Sequence, residues 1–207
     1  MKVILINGSP HAHGCTYTGL SIIGEKLAEH GIDSEIIQVG TKPVSGCIAC
    51  MGCAKAGRCV LPDDGVNAAA AKVRDADGLV LGSPVHYASA SGSATAFFDR
   101  LFYSLGHSGV SLRMKPGAAV VSCRRGGASA TFDQLNKYFT INQMPVVSSC
   151  YWNQIHGYTP EDVYADEEGV YTLRLLADNM AYLLRCMEKA ALPLPEQPPR
   201  VFTNFIR

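Results

Sequence analysis

The sequence predicts a doubly wound α/β fold: a five-stranded parallel sheet with helices on both faces. Three observations carry this. Short apolar runs bounded by glycine or turn residues recur along the chain, and segments between them repeat apolar residues at three- and four-residue spacing. The two patterns alternate, and runs that are apolar throughout read as strands buried on both sides. Right-handed strand–helix–strand crossovers then favour the doubly wound topology.

The elements follow in order. KVILIN at 2–7 is a buried strand ending at Gly8. A helix over 16–30 shows Leu20, Ile23, Leu27 and Ala28 near helical spacing, and Gly31 can take the positive φ that ends it. IDSEIIQV at 32–39 is the second strand. A helix over 65–74, capped by Asp63 or Asp64, leads to the strand GLVLGS at 78–83. The helix at 91–105 places Ala94, Phe97, Phe98, Leu101, Phe102 and Leu105 on one face, suited to packing on a sheet or a second subunit. The strand GAAVVS at 117–122, a helix at 129–141, the strand PVVSS at 145–149 and a long helix at 170–189 complete the pattern. Pro193, Pro195, Pro198 and Pro199 stop that helix. Residues 1–190 thus read as one domain, and 191–207 as an extended arm with Phe202, Phe205 and Ile206 as apolar anchors.

A chain of 207 residues with 47% apolar content can build one substantial core. Lys plus Arg balances Asp plus Glu at 18 each, which gives no general attraction for nucleic acid or anionic lipid. No apolar run is long enough to span a bilayer, and MKVILIN turns directly into GSPHAHG like an internal strand rather than a leader. The expected location is the cytoplasm, where the eight cysteines stay reduced unless liganded or catalytic.

Ligands of an open parallel sheet bind beyond the carboxyl ends of its strands. After the first strand comes GSPHAHGCT, in which Gly8 and Gly14 permit tight turns while Ser9, Thr16 and backbone amides can cradle a phosphate at a helix start. His11 and His13 add donors. The loop is neither G-x-G-x-x-G nor a P-loop, which argues against dinucleotide and nucleoside-triphosphate binding in their usual forms. After the third strand, SPVHYASASG offers Pro84, Val85, His86 and Tyr87 as a surface for a planar ring. After the fourth, SCRRGGASA joins Ser122, Arg124 and Arg125 to the flexible pair Gly126 and Gly127. Any one of these segments alone could be an ordinary polar turn; three at one sheet edge make a site.

Cys47, Cys50, Cys53 and Cys59 form C-x2-C-x2-C-x5-C. Four soft thiolates in so short a loop suit a [4Fe-4S] centre. Zinc more often uses C-x2-C pairs separated by a longer span, and unligated or redox-active thiols are the plain alternative. Cys123, Cys150 and Cys186 read as packing residues.

The segments INGSPHAHGCT, CIACMGCAKAGRCVLPDD, ADGLVLGSPVHYASASGSATAFFDR and SCRRGG, in this order over most of residues 1–150, resemble the flavodoxin-like NAD(P)H-dependent FMN reductases, near the iron-sulfur flavoprotein branch. The resemblance implies FMN, with its phosphate in the loop containing Ser9, His11, His13, Gly14, Cys15 and Thr16. It implies a flavin ring bordered by Pro84, Val85, His86 and Tyr87 and by Ser122, Arg124, Gly126 and Gly127. The four clustered cysteines match the iron-sulfur motif of that branch. His11, Cys15 and His86 depart from the residues usual at their positions, Arg, a small polar residue and Tyr respectively. Family members are commonly dimers or dimers of dimers. Three functions are therefore expected in turn: an FMN-dependent oxidoreductase moving hydride or electrons between NAD(P)H and a quinone, flavin or other acceptor; an iron-sulfur flavoprotein taking electrons from a protein donor; and a non-catalytic flavin-binding protein. No side chain stands out as a catalytic acid, and His156 is a candidate for the substrate face.

Overall fold

The structure, a computed structural model, describes residues 1–62, 64–199 and 201–203. Strand β1 (Lys2–Asn7) pairs in parallel with β2 (Asp33–Gln38) on one side and β3 (Gly78–His86) on the other. Beyond β3 lie β5 (Gly117–Cys123) and β6 (Gln154–His156), so the parallel strands run in the order β2-β1-β3-β5-β6. This is the flavodoxin-type doubly wound order. A two-residue strand, β4 (Ser89–Ala90), folds back antiparallel on the end of β3.

Side-chain alternation divides the core into two layers. Ile4, Ile6, Leu79, Leu81, Ala119 and Val121 face α3 (Val66–Asp75), α4 (Gly92–His107) and α5 (Ala128–Ile141). Val3, Leu5, Val80, Ala118 and Val120 face α1 (Cys15–Glu29) and α7 (Glu167–Ala190). The predicted apolar face of α4 is buried throughout, and its aromatics pack inside the chain: Phe102 stacks on Tyr138 with centroids 5.2 Å apart. A short α2 (Gly52–Ala56) sits in the cysteine loop, and α6 (Pro160–Ala165) precedes α7. Neither short helix is evident from periodicity.

One strand is displaced from its predicted place. The run at 145–149 contributes only a single bridge, Gly117 to Val146, and the fifth parallel strand forms later at Gln154–His156. The chain follows β5 through Pro145 and Val147, leaves it over 148–152, and rejoins at Asn153, whose carbonyl accepts from Val121 N. Ser149 Oγ bonds Tyr151 O and Asn153 Oδ1, each at 2.7 Å, a local closure that competes with the ladder. Asn153 Nδ2 donates to Ala119 O at 3.0 Å and satisfies the strand carbonyl at the gap.

Helix α7 starts three residues before the predicted 170 because Asp166 caps it. Its Oδ1 accepts from Gly169 N at 3.0 Å, and its Oδ2 accepts from His156 N at 2.7 Å and meets His156 Nδ1 at 2.9 Å. Burial alone would raise the carboxyl, but the bonds from Gly169 and His156 hold it below the ordinary aspartate value. A depressed pKa contributes stability that is present above the unfolded value near 3.9 and lost as pH falls through the lower folded value. Asp166→Ala is therefore expected to cost about 1–2 kcal/mol at pH 7, and urea unfolding should show the gap from wild type closing below about pH 4. A gap independent of pH would mean that the carboxylate charge plays no part.

Residues 191–199 form no regular element; Leu192 and Leu194 are exposed, and Arg113 Nη1 donates to Pro195 O at 2.7 Å. Phe205 and Ile206 lie outside the described residues, as does Asp63. Asp64 does not serve α3 as a cap; Gly65 holds that position, and Asp64 pairs with Arg100. Cys150 and Cys186, expected to pack, are exposed.

Candidate functional site

A cleft of about 730 Å³ opens beyond the carboxyl ends of β1, β3 and β5. Of the residues predicted for the site, it gathers Ser9, His11, His13, Gly14, Cys15, Thr16, Pro84, Val85, Ser122 and Arg124. His86, Tyr87, Gly126 and Gly127 are not among its lining residues. The first two lie on the β3–β4 hairpin, where Tyr87 and Ala88 take left-handed φ of 51° and 59° and the Tyr87 ring stands fully in solvent. Gly127 has φ 93°, and a Cβ there would lie 2.7 Å from Ala88 Cα, so glycine lets the β5–α5 loop close onto that hairpin. A fourth wall, Gly157–Pro160, joins the cleft without a signal in the sequence pattern.

The first loop is held by residues that sequence reasoning missed. Asn7 Nδ2 donates to His11 O and Ala12 O, both at 3.4 Å, and to Gln38 Oε1 at 2.5 Å. Gln38 Nε2 in turn donates to Ser9 O at 2.7 Å. The only available hint was two amides at strand ends that pair in register, Asn7 with Gln38. Ser9 Oγ accepts from His11 N at 3.1 Å, and Thr16 Oγ1 meets Ser122 Oγ at 2.8 Å, tying the first loop to the third. Both hydroxyls keep further hydrogen-bonding capacity. Helix α1 begins here behind Gly14, with no side-chain cap and no acidic residue in its first turn. Its first amides and positive dipole end therefore favour an anion.

Burial holds two cleft thiols toward their neutral form. Burial raises the Cys15 thiol, nearby Asp162 and Glu161 add to the shift, and its sulfur donates to Thr159 O at 3.3 Å. Burial likewise raises Cys123. Arg124 lies 5.8 Å from the Tyr158 ring centroid and brings a cation to the rim. His156 lines a separate hollow with Tyr151, Trp152 and Asp166 instead of facing the cleft.

Cys47, Cys50, Cys53 and Cys59 all line a second pocket, walled by Ile48, Met51, Val60 and Leu61 and by Arg100 and Tyr103 from α4. Ala49, Met51 and Gly57 take left-handed φ of 50°, 58° and 68° and wind the loop tightly. None of the eight cysteines is joined in a disulfide. Cys53 and Cys59 are buried, Cys47 is half-buried and Cys50 is exposed. Among the described residues, no three His, Cys, Asp or Glu side chains are drawn together closely enough to hold a metal ion. The pocket encloses only about 20 Å³, so a multi-iron core enters only with movement of the exposed Ile48–Met51 side. The donor set itself fits such a core: four soft thiols, apolar walls and a buried cation.

A parallel sheet in this order, with a helix start that favours an anion and a cleft over the strand ends, is the flavodoxin-like arrangement. A family model described as NADPH-dependent FMN reductase matches residues 1–158, and the chain belongs to that family. It is 34% identical over 196 residues to an iron-sulfur flavoprotein of Methanocaldococcus jannaschii, an alignment that covers 91% of this chain and 100% of the relative. The iron-sulfur flavoprotein of Methanosarcina thermophila is 29% identical, with 91% and 98% covered. Among solved structures, RosB with a bound 8-demethyl-8-formylriboflavin-5'-phosphate intermediate superposes with a TM-score of 0.70 at 14% identity, covering 100% of this chain and 92% of that one. An archaeal flavodoxin gives 0.58 at 16% identity, with 89% and 99% covered; both likenesses show the fold. The protein is a flavin oxidoreductase whose cofactor is FMN. Among the described residues, no helix is long and apolar enough to cross a membrane.

Proposed function

We propose that the protein transfers electrons between FMN in the large cleft and a [4Fe-4S] centre held by Cys47, Cys50, Cys53 and Cys59, passing them from a reduced donor to a small-molecule or protein acceptor. The observation that supports this reading is that all four motif cysteines line one pocket beside a buried arginine. The iron-sulfur flavoproteins among its relatives support it. FMN supplies the hydride and single-electron chemistry when bound, and the cluster supplies one-electron steps. The chain's part is placement. The amides opening α1, with Ser9 and Thr16, would hold the phosphate; Pro84, Val85 and Ser122 would border the ring, with His86, Tyr87, Gly126 and Gly127 farther out. A second reading, hydride transfer from NAD(P)H to a quinone, a free flavin or another acceptor, is favoured by the family description and does not need the cluster. The protein works in the cytoplasm as at least a homodimer, a role suited to the exposed Tyr87 beside the cleft.

Anaerobic purification with flavin, iron and acid-labile sulfide measured on one sample tests the choice. FMN with about four irons and matching sulfide per chain is expected. FMN without iron or sulfide after reconstitution would leave the NAD(P)H reductase reading, and zinc without sulfide would make the cysteines a structural site.

A further inference from the structure

Arg100 is 1% exposed and heads the largest fully buried side chains of the molecule. It comes from α4 and reaches under the cysteine loop. There its Nε donates to Cys59 Sγ at 3.4 Å, Nη1 donates to Ser45 O at 3.3 Å, and Nη2 donates to Pro62 O at 3.3 Å. Nη1 also pairs with the Asp64 carboxylate, whose Oδ1 is buried with no hydrogen-bond partner among the described residues. An arginine needed only to pin the loop would be satisfied by carbonyls. This one turns its Nε edge to a motif sulfur, and a guanidinium taken out of water is costly unless anions surround it. One carboxylate is present, and the Cys59 sulfur at 3.4 Å would be a second anion as a cluster thiolate.

We propose that Arg100 tunes the redox centre: its charge and its Nε–H bond to the Cys59 sulfur raise the reduction potential of the cluster held by the four cysteines. The inference rests on the cluster reading above. Reduction adds one electron to the core, with no bond broken and no proton required, so its net negative charge grows by one. A buried cation and an N–H donor at a ligand sulfur stabilise that added charge. Asp64 acts in the opposite sense, since its carboxylate offsets part of the guanidinium field. Arg100 is thus a positioning and electrostatic residue acting through Cys59.

The test is an anaerobic dithionite titration monitored by electron paramagnetic resonance, on whole protein with iron, sulfide and FMN quantified. R100M is expected to lower the midpoint by at least a tenfold change in the oxidised-to-reduced ratio, about 59 mV for one electron. D64N is expected to raise it, and R100K, which keeps the charge but not the fork, to lie between R100M and wild type. Opposite shifts in R100M and D64N are the signature, because simple loosening of the loop would move both the same way. Shifts of the same sign, or an R100M midpoint within twofold of the wild-type ratio, would overturn the proposal. Should R100M fail to retain iron, D64N decides: an unchanged or lower midpoint overturns it. Wild-type protein without iron would refute the cluster reading itself, a result distinct from iron-loaded variants with unmoved potentials.

Discussion

Gly8→Ala is expected to weaken FMN binding about 100-fold, roughly 2.8 kcal/mol, and to lower stability by about 1–3 kcal/mol through overpacking. A Cβ at Gly8 would lie 2.6 Å from Ala94 Cβ and 2.8 Å from Gly82 O. Neither neighbour is the free end of a flexible chain: one is the first turn of α4, the other the backbone of β3. The loop must therefore lift, and it must do so where it is pinned from both sides. Gly8 N donates to Gly82 O at 2.8 Å, and Gly8 O accepts from Ser91 Oγ at 2.7 Å. Lifting moves Ser9 and the amides that open α1 away from the positions at which they serve an anion. Fluorescence titration of apo-protein with FMN measures the first effect, thermal unfolding the second. Full affinity in a destabilised variant would show that the phosphate does not depend on this loop.

Changing Cys50 to serine should strip most of the iron and sulfide from reconstituted protein while FMN content stays at the wild-type level. Loss of a ligand costs more than the roughly 10–100-fold loss of metal affinity that follows removal of a supporting group. Cys50 is the informative choice because it is exposed. A serine there buries no new hydroxyl and disturbs no packing, so a lost cluster cannot be blamed on lost fold. The cysteine pocket and the FMN cleft share no lining residue, which is why flavin should be spared. Cys186→Ser, at an exposed position on α7, is the control and should leave both centres intact. Full iron and sulfide in Cys50→Ser would remove Cys50 from the ligand set.

Much of this could be read from the chain because the signals are local. The β1 and β5 runs, the apolar face of α4, and glycine-bearing loops after β1 and β5 each depend on residues a few positions apart, where spacing alone decides which side chains share a face. Those signals marked four of the five parallel strands and the five longer helices, and ten of the fourteen residues named for the cofactor line one cleft. The cysteine spacing likewise placed four thiols in one short loop, and all four line one pocket, though no three of them are drawn together closely enough to hold a metal ion.

Tertiary structure decided what no local pattern encodes. The edge strand moved from 145–149 to Gln154–His156 because Ser149 and Asn153 side chains replace ladder bonds, a competition that period and propensity do not register. Gly157–Pro160 became a cleft wall only because that displaced strand delivers it there. Arg100 met Cys59 across 41 residues of sequence. Nothing in the local spacing of α4 marks that arginine for burial. The arginine became a buried cation bonded to Cys59 when α4 packed against the cysteine loop, since burial and charge pairing belong to the assembled core and not to any one segment.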